Sequence, residues 1–145
     1  MRTRLAIFNH VNANGRVYVA NSKEDIQELF NKSEYYLTGM KSSDPIGTNY
    51  ANVDFGLGVV NLLNTVGVFD NIEIIETGDI GSNNLPIFEV YGELRIFDTD
   101  IGKLFEESYN QNIVTIGMRS LGKQTDLYLP NFKLDKVICW DTIVR

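Results

Sequence analysis

The chain of 145 residues holds one cysteine and one histidine, and each scarcity removes a class of chemistry. Cys139 alone forms no internal disulfide framework and cannot furnish a Cys-based zinc site. A reducing cytoplasm is the simplest setting. Cys139 also stands beside Trp140 in an apolar run, where a thiol behaves as a small buried hydrophobe. His10 has no nucleophile and no orienting partner in its sequence neighbourhood, so it reads as a structural or surface histidine. One His and one Cys leave only carboxylates to hold a metal, and neither metal nor cofactor is expected. No apolar run approaches the roughly 20 residues that span a bilayer. Met1-Arg2-Thr3-Arg4 leads straight into a strand without a secretory pattern. Repeats and low-complexity tracts are missing too. Positive charge is in deficit: a formal net charge of −6 argues against a nucleic-acid binder with a broad basic face and fits basic partners better.

What is there suffices for one domain over 1–145, with 43% hydrophobic residues to fill its core. The most legible stretch is Phe88 to Leu121. Phe88, Val90, Leu94 and Ile96 recur at every second place with Glu89, Glu93 and Arg95 between them, the pattern of a strand with one wet face. Asp98-Thr99-Asp100 offers capping oxygens to a short amphipathic helix carrying Ile101, Leu104, Phe105 and Ser108. Ile113 to Met118 returns as a buried strand, and Arg119-Ser120-Leu121-Gly122 follows as a tight basic turn.

Earlier in the chain, Leu5–Val11 reads as a strand, Asn12-Ala13-Asn14-Gly15 as a hairpin turn, and Arg16–Val19 as extended. Ser22 caps a helix with the stripe Ile26, Leu29 and Phe30, ending near Lys32 or Ser33. Residues 34–58 read as a long loop excursion, and such loops often carry function. Val59–Val66 is a strand or a short helix. Ile72–Glu76 is a strand, followed by the turn-rich Gly78–Pro86 and a hairpin return. Val137–Val144 closes the domain as a buried strand. The outline is mainly β or α+β: a small β-barrel-like domain with two or more short flanking helices.

Few residues carry candidate chemistry. Asp98-x-Asp100-x-Gly102 has a faint calcium-loop look but lacks the third acid and the closing bidentate Glu. Gly56-Leu57-Gly58 lacks the rest of a phosphate cradle. Arg119 with the amides of Ser120, Leu121 and Gly122 is the best candidate, because an arginine beside free N–H groups can hold an anion or oxyanion. The plainer alternative pairs Arg119 with a carboxylate.

The order of segments resembles the tailed-phage prohead (capsid maturation) serine proteases. Asn14-Gly15-Arg16-Val17-Tyr18 is similar to that family's opening Asn-Gly-Arg-Ile-Tyr-Pro. Tyr91-Gly92-Glu93-Leu94-Arg95-Ile96-Phe97-Asp98-Thr99 with Gly102-Lys103-Leu104 resembles its Gly-Glu-(Ile/Leu)-x-Ile-Leu-Asp-Thr-x-x-Gly-Lys block. Ile116–Gly122 resembles a drifted Gly-Ile-Ser-Ser-Arg-Gly-(Leu/Met)-Gly, and Phe132-Lys133-Leu134 with Ile138–Val144 its closing region. The resemblance implies an assemblin-like fold and a place in phage head assembly. It also implies a lost active site: the family's two serine positions fall on Gly117 and Met118, and its histidine falls near Asp70-Asn71. Neither Gly nor Met can be an acyl nucleophile. The expectation is therefore a non-catalytic head-assembly or virion protein that binds head, scaffold or other virion proteins. Self-association is open to it, and it would work in the host cytoplasm. One alternative is an active peptidase with its nucleophile moved to Ser120 (or Thr115) and His10 as base. Another is a small phage-encoded inhibitor of a host protein.

Overall fold

The computed structural model describes residues 1–40, 60, 62–127 and 130–145. These form a mainly β fold: β1 (Arg2–Phe8), β2 (Val17–Tyr18), α1 (Lys23–Leu29), β3 (Tyr35–Met40), β4 (Thr65–Ile80), β5 (Pro86–Ile96), α2 (Asp100–Asn110), β6 (Val114–Gln124) and β7 (Asn131–Val144). All seven strands belong to one sheet in the order β1-β5-β4-β3-β7-β2, with β6 paired to β7. By its contacts the chain divides into two compact units. The first is Met1–Ser33, Asn71–Glu93 and Ser120–Val137, and the second is Glu34–Asp70, Leu94–Arg119 and Ile138–Arg145.

In the first unit, β1 runs antiparallel to β5, from Arg2 opposite Glu93 to Phe8 opposite Phe88, with a bulge between Arg4 and Ala6. Strand β2 runs parallel to β7, Val17 opposite Asn131. The two ends of the strand order also meet here. Asn9 N donates to Tyr18 O at 2.8 Å and Val11 bridges Val17, so the sheet is nearly closed in its hydrogen-bond order, the barrel-like feature. Phe8, Val17, Ile26, Phe30, Phe88 and Val90 fill the core. Ser22 caps α1 by accepting from Asp25 N at 3.3 Å. The helix stops at Leu29, short of the expected Lys32, because Phe30 leaves helical geometry at φ −95° and ψ 61° to pack edge-on against Phe8.

The expected strand Leu5–Val11 is displaced to Arg2–Phe8, and Asn9 explains why. It stands at φ 64° and is wholly buried, so the strand breaks there. Its side-chain amide donates to Ala20 O at 2.8 Å and Pro86 O at 2.7 Å, and its Oδ1 accepts from Ala20 N at 3.1 Å. Its own carbonyl accepts from Ser82 N at 2.8 Å. Gly81 must be glycine at this point, since a Cβ there would lie 2.0 Å from that same carbonyl.

In the second unit, β3 is antiparallel to β4 and parallel to β7. Trp140 is fully buried between Tyr35 and Phe69, each ring 5.6 Å away and tilted toward edge-on geometry. Truncating such a side chain typically costs about 3–5 kcal/mol. Thr99 caps α2 by accepting from Gly102 N at 3.1 Å. Phe105 and Ser108 of that helix are buried as expected, whereas Leu104 is half exposed and lies off the buried stripe.

Two further expectations change. Residues 35–40, expected within the loop excursion 34–58, form β3. Residues 41–58 of that excursion, Gly56-Leu57-Gly58 among them, lie outside the described residues. In Val59–Val66, the described residues 62–64 form a 3-10 turn and 65 onward belongs to β4. On β5 the alternation holds: Phe88, Val90 and Leu94 are buried, and Glu89, Glu93 and Arg95 are not.

Candidate functional site

The expected turn at Arg119-Ser120-Leu121-Gly122 is absent: all four residues lie inside β6, which runs on to Gln124. The chain turns only after it, where Thr125 N donates to Asn131 O at 3.0 Å. Gly122 marks a close strand approach, for a Cβ there would lie 2.5 Å from Lys133 O on β7. The anion-holding turn is corrected to a stretch of paired strand, in which Ser120 is half-buried and Leu121 is exposed.

Arg119 is engaged elsewhere. In the second unit its guanidinium grips Asp141 of β7 in two-point fashion, Nε to Oδ2 at 2.9 Å and Nη2 to Oδ1 at 2.5 Å. Side-chain exposure is only 10% for Arg119 and 16% for Asp141, so water screens this pair little. Thr38 stands opposite Asp141 in the parallel β3–β7 register, and its hydroxyl donates to Oδ1 at 2.7 Å. Thr142 in turn donates to Thr38 O at 2.6 Å, tying the two strands again. The buried Cys139 thiol lies 4.0 Å from Asp141 Oδ1. The Asp141 hydrogen bonds push the Arg119 pKa above its already high ordinary value, against the opposing effect of burial. An arginine fixed in this way positions two strands. It has little capacity left to stabilise a reacting oxyanion.

The other candidates fall apart from it. His10 is exposed, with Nδ1 2.8 Å from Val11 O. Among the described residues His10 and Ser120 share no hydrogen bond, so the bond a relocated nucleophile needs is not formed. Gly117, where the family's serine aligns, lies beneath Ile143, whose Cδ1 would be 2.5 Å from a Cβ at 117. Asp70, near the family's histidine position, pairs with Arg95 at 3.7 Å. Asp98 pairs with Lys103 at 3.4 Å and Asp100 opens α2, and among the described residues no group of three His, Cys, Asp or Glu is set to hold a metal.

Sequence reasoning allowed a carboxylate partner for Arg119 but did not identify it as Asp141, nor Thr38 as a donor to that carboxylate. The signal was a single acid inside the apolar run Ile138–Val144, because a carboxylate on a buried strand demands a cation. It also missed a cleft of about 440 Å³ in the first unit, lined by Ala20, Asp25, Glu28, Lys133, Leu134 and Asp135 among others. That cleft carries three carboxylates against one ammonium. No described helix is long and apolar enough to cross a membrane. Comparison with protein-family models, with curated proteins and with solved structures finds no match.

Proposed function

We propose that this chain is a non-catalytic protein of phage head assembly, built on a prohead-protease-like scaffold and acting in the host cytoplasm by binding other proteins. The observation that carries the non-catalytic reading is the Arg119–Asp141 pair. The arginine matching the family's serine-arginine segment is closed onto a carboxylate inside a paired strand. Ile143 over Gly117, and the want of a hydrogen bond between His10 and Ser120 among the described residues, support the same reading. The phage-head setting rests on the sequence resemblance alone.

Binding would then use a surface other than Arg119. The cleft with Asp25, Glu28 and Asp135 suits a basic segment of the partner, in keeping with the acidity of the whole chain. The test mixes the purified protein with prohead core and capsid proteins from the same source and follows cleavage and co-elution. The expected result is co-elution without cleavage, weakened at high salt and in an Asp25→Asn, Glu28→Gln, Asp135→Asn triple variant. Cleavage by wild type but not by Ser120→Ala would overturn the reading in favour of the peptidase.

A further inference from the structure

The hairpin turn between β1 and β2 has a chemistry that the binding role does not use. Gly15 N donates to Asn12 O at 3.0 Å, Asn12 N donates to Arg16 O at 2.8 Å, and Gly15 adopts φ +75°, a short loop finished by a left-handed glycine. The Asn12 side chain braces this loop from within, its Oδ1 accepting from Asn14 N at 2.9 Å and from Arg16 N at 3.1 Å. Asn14 and Gly15 are exposed. An asparagine followed by glycine carries the least steric bulk in the path of its own side-chain carbonyl, so the next backbone nitrogen reaches it readily.

We propose that Asn14 is a site of spontaneous deamidation whose rate is governed by the Asn12-braced turn. Gly15 N attacks Cγ of Asn14, forming an N–Cγ bond. The Cγ–Nδ2 bond breaks, and ammonia leaves with the proton released from Gly15 N. Water then opens the resulting succinimide at either carbonyl, leaving aspartate or isoaspartate at position 14, with no change of oxidation state. In the closed turn Gly15 N is occupied by Asn12 O, so attack waits for local opening. Asn12 is thus a positioning residue that slows the reaction.

The product has structural consequences. Isoaspartate lengthens the backbone of a tight loop by one atom and adds a negative charge two residues from Arg16. Strand β2 is only two residues long and is held by Val17 N on Pro130 O and Val19 N on Phe132 O, both 2.9 Å. A lengthened turn pulls on both bonds.

The test holds wild type, Asn12→Ala, Asn12→Asp, Asn14→Gln and a synthetic peptide of residues 10–18 in mildly alkaline buffer. Mass spectrometry follows the amide-to-acid gain at residue 14, with fragmentation to identify isoaspartate. The peptide should convert fastest, and Asn12→Ala should convert about tenfold faster than wild type, since two braces of the closed turn are lost. Asn12→Asp keeps the acceptor oxygen and should restore the slow rate, and Asn14→Gln should not convert in this segment. Conversion of wild type should also speed amide exchange at Val17 and Val19. If Asn12→Ala fails to fold, wild type against peptide decides the matter. Wild type converting at the peptide's rate, or not converting at Asn14 while the peptide is consumed, would overturn the proposal.

Discussion

The two units of this protein each hold a polar centre largely shielded from water, and the two are satisfied in opposite ways. In the first unit Asn9 is neutral, and its side chain is bonded to the main chain of Ala20 and Pro86. In the second, Arg119 and Asp141 are charged and bond each other, and Thr38 also donates to the Asp141 carboxylate. A centre bonded to main chain has no partner that a second mutation can remove. A centre bonded to side chains can be deleted as a pair and refilled with apolar atoms, because the desolvation cost leaves with the charges. The first is fixed by geometry, and the second only by complementarity.

Asn9→Ala sets the largest expected effect. It strands Ala20 N, Ala20 O and Pro86 O and puts a Cβ residue without a stabilising amide at positive φ, for a loss of about 4 kcal/mol in chemical denaturation. No second substitution among its partners should restore it. A cheap rescue would break the comparison.

Arg119→Gln should cost about 3 kcal/mol by leaving the largely buried Asp141 carboxylate without its cation, while Arg119→Met combined with Asp141→Leu should recover most of that loss. Failure of the double variant to recover would make the pair as irreplaceable as Asn9. The same variant carries a pH signature. A cation whose folded pKa is raised contributes fully below its ordinary value and loses that contribution only as pH rises through the raised one. The wild-type advantage over Arg119→Gln should therefore stay flat from neutral pH to about pH 10. Thr38→Val is the smallest test: it removes one charge-assisted bond to Asp141 and should cost about 1.5 kcal/mol.

The contrast also explains what could be read from the residues. Local chemistry was legible. The alternation along β5, the Ser22 cap, the capping run Asp98-Thr99-Asp100 (within which the structure selects Thr99) and the Asn12–Gly15 turn each follow from neighbouring residues alone. Long-range packing was not. Arg119-Ser120-Leu121-Gly122 reads as a turn because it is polar and ends in glycine. Gly122 is there instead because the backbone of β7 comes too close for a side chain. Strand β3 escaped notice because Tyr35, Leu37, Thr38 and Gly39 do not alternate, its neighbours being distant strands β4 and β7. Asn9 reads as one more residue of the strand Leu5–Val11, because the partners that fix it lie 11 and 77 residues away. Of the candidate residues, Arg119 follows the plainer alternative of pairing with a carboxylate, and only the fold identifies that carboxylate as Asp141.

Strand β7 has one more consequence, for synthesis. It pairs with β2 through Asn131 and Phe132, with β3 through Trp140, Asp141 and Thr142, and with β6 as well. During translation, β2 and β3 therefore wait with their β7-facing edges open until residues 131–142 have cleared the ribosome, although β3 can pair with β4 before then. Contacts of such long sequence separation form slowly, and exposed strand edges invite pairing with the wrong chain in the interval. The vulnerable species is the nascent chain that ends before Asn131.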